Sequence, residues 1–412
     1  MLELARGGWT DKEILTALRG RGGSQQIKFR FDVLRNGAKI KEINATGSVD
    51  LNRFADIQRA GAFKLTEELD WLHDEIKPYM LLRMPDKIIK DITHIMPCYA
   101  FDALHLLAEE FDALNITGEV LDRGYIGTIT RKEQYAEFPL GVFVLSSPSR
   151  HSSDGFTEWT VAAYDHTVIL KEDSISEPLF FPAGTKYIDA VQSILVSANA
   201  GNVFIKNFTD ARLPTDREFE IGTTKLSIAN SLLGEINFNP IRCDSNGQFL
   251  ISKYQEPSPN NIEFTYAADE LSVISRDTAS DQDFYSVPNV FIAVCSNPEL
   301  DKDYRSVFIN DSPTSALSTV SRGRRITSEI YQPSTILSQE ALDTYIRRIA
   351  FEANQVYEQL TFTTAIMPIH ESGNILEIRH PDVTGIFIES SWTIVLSADS
   401  QMIHTARRLI SI

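Results

Sequence analysis

Basic residues are scarce in this sequence, and so is cysteine. Of 412 residues, 39 are lysine or arginine against 56 aspartate or glutamate, a formal net charge of −17. A surface that grips nucleic acid through its phosphates needs an excess of cations. The acidic balance excludes that class and leaves room for DNA to pass by without sticking. The three cysteines, Cys98, Cys243 and Cys295, are far apart and odd in number. They suit reduced, buried thiols better than a disulfide framework or a zinc site. No apolar run approaches the roughly 18–20 residues a membrane-spanning helix requires. The opening segment MLELARGGWTDKEILTALRG alternates charge with leucine and lacks the apolar centre of a signal peptide. It is read as the start of a chain made and folded in a cytoplasm, with no export signal of its own.

Compact catalytic signatures are missing too. A phosphate loop needs two glycines and a Lys-Ser/Thr pair at fixed spacing, so that backbone amides cradle the phosphate. IGTTKLS (221–227) lacks the second glycine. No G-x-G-x-x-G opens a helix, and no G-x-S-x-G elbow presents a serine. His370-Glu371 starts like a zinc-binding helix, but the second histidine would fall at position 374, which is Asn374 after Gly373, a turn. His370, His380 and His404 are the remaining route to an ion. Zinc asks for three or four converging ligands, so satisfied imidazoles on a sheet are the preferred reading. Asp244-Ser245-Asn246-Gly247 has its glycine in the fourth place, where a calcium loop wants it sixth, and reads as a hairpin turn. Glu109-Glu110 are adjacent on a candidate helix and do not face each other. Tyr164-Asp165-His166 closes a strand with no nucleophile tied to it. The expectation is a chain with no catalytic residue, no cofactor and no metal, hence not an enzyme.

What is present is material for packed cores. Apolar residues make up 43% of the chain, and its length favours two or three domains. Valine, isoleucine and threonine run along the whole length, which leans towards sheet. IKFRFDVLRNGAKIKEI alternates apolar and polar residues on both sides of Asn36-Gly37, a strong hairpin signal. The pattern predicts an N-terminal helical arm over 1–24 and a first β-rich domain over 25–170. Within that domain 85–135 reads as a partly helical insertion, on the helical spacing of AFDALHLLAEEFDAL. A small α/β domain follows over 171–258, then a second β-rich domain over 259–412. There Ser338 offers an N-cap to a long helix at about 339–360.

Several stretches carry a resemblance. GSVDLNRFADIQRAGAFKL (47–65), LGVFVLSSPSR (140–150) and WTVAAYD (159–165) resemble the first barrel of siphophage distal tail hub proteins. PAGTKYIDAVQSIL (182–195) and the stretch 219–254 resemble that family's middle domain. NVFIAVCSNPELD (289–301), 338–364 and 389–412 resemble its second barrel and C-terminus. The match runs in order over most of the chain and leaves out 1–23 and 85–135. The resemblance implies a fold of the α+β, β-rich class, with two related β-barrel tube-type domains and a small α/β middle domain. Such hubs are similar to the central hub of contractile-tail baseplates.

It implies a homotrimeric ring in the virion's tail tip, meeting the distal tail protein or tail tube subunits on one side. Tip or fibre proteins, and the tape measure protein, meet it on the other. DNA would pass through the lumen without specific binding, since negative walls repel phosphate. The chain stops at Ile412, straight after the last strand of the second barrel, so host recognition and lysis are expected of other subunits. Two further readings stay open. One is a receptor- or carbohydrate-binding module, with Trp71, Trp159 and Trp392 as sugar-stacking candidates; the other is a tail-associated cell-wall hydrolase. Candidate interface residues are Arg322, Arg324 and Arg325 in a loop-rich stretch, and Arg407 and Arg408 near the C-terminus, because guanidinium forks match carboxylates.

Overall fold

In the computed structural model the described residues are 4–20, 25–95, 125–153, 155–269, 273–283, 285–296, 303–333, 336, 338–355, 358–397 and 399–409. The arm begins with helix α1 (Asp11–Leu18), started by a capping box. The Thr10 hydroxyl accepts from the Glu13 amide, and the Glu13 carboxylate accepts from the Thr10 amide at 2.7 Å. Ile14 and Leu18 are buried in the first core.

Strands β1 (Ile27–Arg35) and β2 (Ala38–Ile43) form the expected hairpin. Asn36 and Gly37 both take positive φ, as a two-residue turn of the primed type demands. β3 (Ala45–Asn52), β4 (Arg59–Leu65), β5 (Asp74–Ile95), β6 (Tyr125–Pro139), β7 (Phe143–Ser153) and β8 (Phe156–Tyr164) complete this part. The flanks of the expected insertion are strand, not helix: β5 and β6 pair from Tyr79↔Pro139 out to Ile95↔Tyr125. The helical candidate at 100–114, with Glu109-Glu110, and Cys98 lie outside the described residues. Phe63 is the centre of the core, edge-on to Phe31 at 6.1 Å and to Phe143 at 5.5 Å. Each such pair contributes about 0.5–1.5 kcal/mol beyond burial.

The middle part holds α2 (Thr167–Glu172), β9 (Leu179–Phe181), α3 (Tyr187–Ser197), β10 (Val203–Ile205), β11 (Arg217–Phe219), α4 (Lys225–Glu235), β12 (Arg242–Cys243) and β13 (Phe249–Ile251). It has its own core, running from Leu170 to Ile251. IGTTKLS is a helix start: the Thr224 hydroxyl accepts from the Ser227 amide and caps α4. Asp244-Ser245-Asn246-Gly247 turns β12 into β13, with the Asp244 carboxylate accepting from the Asn246 and Gln248 amides.

The last third contains β14 (Phe264–Ala267), β15 (Ile274–Gln282), β16 (Val290–Cys295), β17 (Tyr304–Ile309), α5 (Thr319–Arg322), β18 (Thr327–Tyr331) and α6 (Gln339–Asn354). β19 (Glu358–Thr364), β20 (Ile375–Arg379), β21 (Thr384–Val395) and β22 (Met402–Arg408) follow. Ser338 caps α6 as expected, accepting from the Ala341 amide. The helix ends at Asn354 and not near 360. Leu360 lies on β19, whose residues alternate buried and half-buried as a strand's do. α6 covers one face of the small sheet β17-β16-β18, packing Leu342, Ile346 and Ala350 against Phe291, Ala293 and Cys295.

Among the described residues a 14-stranded sheet runs β15-β19-β22-β21-β3-β4-β8-β7-β5-β1-β2. β6 joins it on β5, β20 on β21 and β14 on β20. The seam is β21, which pairs with β20 up to Ile388 and with β3 from Ser391 onward. A register shift between Glu389 and Ser391 marks the change of partner. The first and last thirds of the chain therefore share one sheet and one apolar core.

Candidate functional site

The two arginine clusters sit in different surroundings. Arg322, at the end of α5, donates to the Val287 carbonyl at 2.6 Å. Arg324 and Arg325 are exposed, and Arg324 stands 5.2 Å from the Tyr285 ring. Tyr285, Val320 and Ile330 are exposed apolar or aromatic residues in neighbouring segments. Arg407 lies 4.0 Å over the Phe54 ring. Burial lowers its pKa, Arg53 adds to that, and Glu352 acts against it. Arg408 is already engaged within the chain: its Nη2 donates to Glu358 at 3.0 Å and its Nη1 to the Thr384 carbonyl at 3.2 Å.

The pairing of β21 with β22 and the loop between β19 and β20 bring His404 and His370 together around a residue that the sequence did not single out, Glu389. His404 Nδ1 stands 2.5 Å from Glu389 Oε1, and His370 Nδ1 stands 2.9 Å from Oε2. The second contact is at an angle poorer than hydrogen bonding favours. The outer ring nitrogens meet hydroxyls, Tyr266 on His370 Nε2 at 2.5 Å and Thr364 on His404 Nε2 at 2.9 Å. The Thr364 hydroxyl also donates to the Ala365 carbonyl at 2.7 Å. Burial pushes the Glu389 carboxyl up, but the charges and hydrogen bonds of the two imidazoles outweigh it and hold it at about 2. Burial lowers His404, against the pull of Glu389. His380 stays apart, its Nδ1 accepting from the Asp382 amide.

Three such residues are the right donors for a metal ion, and their ligand atoms lie within 4.8 Å of one another. Two ligands of a tetrahedral zinc, each about 2.0–2.2 Å from the ion, stand roughly 3.4 Å apart. The two separations between Glu389 and the histidines are shorter and have hydrogen-bond length, and each carboxylate oxygen serves a different ring. With Glu389 and His404 at zero exposure and His370 at 2%, no substrate can reach the network. Its chemistry is to hold protons and to fix the strands that carry it.

The other sequence candidates are structural in the same sense. The Asp165 carboxylate accepts from the Arg59 and Thr167 amides, and burial raises its pKa against those bonds. His166 bridges Glu75 at 2.7 Å and the Gly247 carbonyl at 3.0 Å. Burial alone would lower His166, and the Glu75 carboxylate outweighs that and raises it. Trp71 and Trp159 pack against each other at 5.2 Å with their rings tilted by 49°, while Trp392 is buried beside Arg59. Cys243 and Cys295 are buried free thiols, as expected.

No family model and no curated protein matches the sequence. Solved structures match it in fold. The tail protein from Neisseria meningitidis MC58 is 12% identical, with 92% of this chain and 97% of that one covered at a TM-score of 0.56. The 43 kDa tail protein of prophage MuSo2 from Shewanella oneidensis is 10% identical, covering 92% and 98% at 0.54. The prophage tail protein gp18 from Listeria monocytogenes EGD-e is 11% identical, covering 93% and 95% at 0.51. At such identities the likeness is one of fold: the chain has the β-rich fold of these phage tail proteins.

Proposed function

We propose, from a fold shared with phage tail proteins, that this chain is a structural hub subunit of a bacteriophage tail tip and resides in the virion. The observation that carries this reading is coverage. Three tail proteins are matched over 92–93% of this chain and 95–98% of their own length. In the proposed assembly three copies form a ring. The large-sheet strands of the first third (β1–β8) and of the last third (β14, β15 and β19–β22) each supply one barrel-type unit per copy, so a threefold ring presents six similar units to the tail tube. The distal tail protein or the tube would dock on one side; tip or fibre proteins and the tape measure protein would dock on the other.

The formal charge of −17 supports a lumen that repels DNA phosphate, so that DNA slides through. Arg324 and Arg325 are exposed beside apolar side chains and suit a contact with the acidic surface of a neighbouring subunit. Arg408 suits it less, because Glu358 already holds it. The chain acts by assembly and not by catalysis; its sharpest cluster of chemical groups is sealed from solvent. A cryo-electron-microscopy reconstruction of the tail tip tests the proposal. Three copies around an acidic lumen are expected, and a peripheral monomer or a basic lumen would sink it.

A further inference from the structure

A cavity of about 190 Å³ opens where the middle part meets the seam of the large sheet, between the end of β3 and the starts of β14 and β20. Arg53 enters it from the loop after β3, Lys206 from the end of β10, and Arg242 and Lys253 from β12 and the segment after β13. The turn Glu371–Asn374 forms another wall. Gly373 makes that turn possible with φ +79, and the Arg53 guanidinium lies 3.5 Å from where a Cβ would stand.

Glu256 and Glu263 also line the cavity, so with Glu371 three carboxylates face the four cations Arg53, Lys206, Arg242 and Lys253, an excess of one positive charge. Arg242 makes no hydrogen bond or ion pair through its guanidinium among the described residues. Burial lowers its pKa, and the charges of Arg53 and Arg59 add to that. Arg53 has Glu352 at 3.9 Å, the outer limit of an ion pair. Glu371, the carboxylate that acts on Arg242, is held by the buried Arg59 at 2.9 Å. Its other oxygen, Oε1, is buried without a hydrogen-bond partner, and so is the Ser372 hydroxyl. Leaving two buried oxygens unpaired beside a half-buried, unpaired guanidinium costs stability. In a chain this acidic, a site where cations outnumber carboxylates even by one is informative. The missing component must carry negative charge for Arg242 and Arg53. It must also carry a donor for Glu371 Oε1, because a bare carboxylate or sulfate would meet that oxygen lone pair to lone pair.

We propose that this cavity binds a protonated oxyanion of the phosphate class, with Arg242 and Arg53 meeting its charge and Glu371 and Ser372 its hydrogen-bonding groups. Bound there, the ligand ties the middle part to the seam of the sheet. The proposal does not depend on the tail-hub reading. Its test is the thermal unfolding of the full chain in inorganic phosphate, sulfate or chloride at matched ionic strength, with calorimetric titration of phosphate.

Wild type is expected to gain several degrees in a saturable way with phosphate, and to bind sulfate at least tenfold more weakly. Arg242→Gln should unfold at a higher temperature than wild type in chloride, because a desolvated charge is gone, and should lose the response to phosphate. Arg53→Gln, at a less buried position, should weaken phosphate at least tenfold and serves if the first variant does not fold. The absence of saturable stabilisation, equal binding of sulfate, or an undiminished response in the variants overturns the proposal.

Discussion

In the middle part, Ile188, Val191 and Ile194 of α3 share a core with Leu226, Leu232 and Leu233 of α4, residues close in the chain. At the seam, Val49 and Leu51 of β3 lie opposite Ile394 and Trp392 of β21, from near the other end of the sequence. The middle core carries one polar cluster, in which the Tyr187 hydroxyl and the Arg217 guanidinium both donate to the Glu235 carboxylate at 2.7 Å. The seam places a carboxylate, two imidazoles and a tyrosine beside its apolar residues. A locally closed core pays little loop entropy. A junction between distant segments gains from polar groups with one best arrangement, since a one-residue slip would strand every one of them.

The sharpest way to break this contrast is Glu389→Ala. It leaves two buried imidazoles without their acceptor and should cost about 4 kcal/mol, read from urea unfolding. Hydrogen exchange should accelerate in β3, β21 and β22, while α3 and α4 keep their protection. Leu232→Ala does the converse: a cavity costing about 3 kcal/mol, with faster exchange confined to 170–251. If the seam loosens equally, the two regions are not separate units of stability.

A smaller effect comes from acid. Glu389 sits at about 2 in the fold against 4.5 in the open chain, so its contribution is present above 4.5 and fades as pH falls towards 2. His404 is lowered, so the unfolded chain takes up its proton first and stability declines as pH falls below 6.5. Both act in one direction. Between pH 7 and pH 4 Glu389 alone should remove about 1 kcal/mol, seen as a drop in the urea midpoint. The smallest effect on stability is expected from Arg324→Ala with Arg325→Ala, within about 0.5 kcal/mol. The same pair should weaken self-association in sedimentation if these arginines form a subunit contact.

Features fixed by neighbouring residues were legible in the sequence. Asn36-Gly37 dictated its turn through left-handed backbone, and Ser338 and Thr10 started their helices through a hydroxyl and a free amide. The end of α6 was not legible, because Leu360 continues the helical spacing and becomes strand through its pairing with Ala406. Glu389 was missed for a related reason. Its meeting with His404 depends on the register of β21 against β22 and the shift beside Ser391, and its meeting with His370 on the path of the loop before β20, none of which a local pattern encodes. His370 and His404 were flagged by residue type, and the residue between them carried no signal of its own.

The pairing of β3 with β21 also sets a timetable. Asn52 lies opposite Ser391, 339 positions later in the chain. At a synthesis rate of about 5–20 residues per second, β3 waits roughly 20–70 s with one edge open. A chain interrupted before β21 keeps that edge exposed, a mark of incompleteness that a chaperone can hold. Closure of the seam is then a late checkpoint, passed only once both ends of the sheet exist.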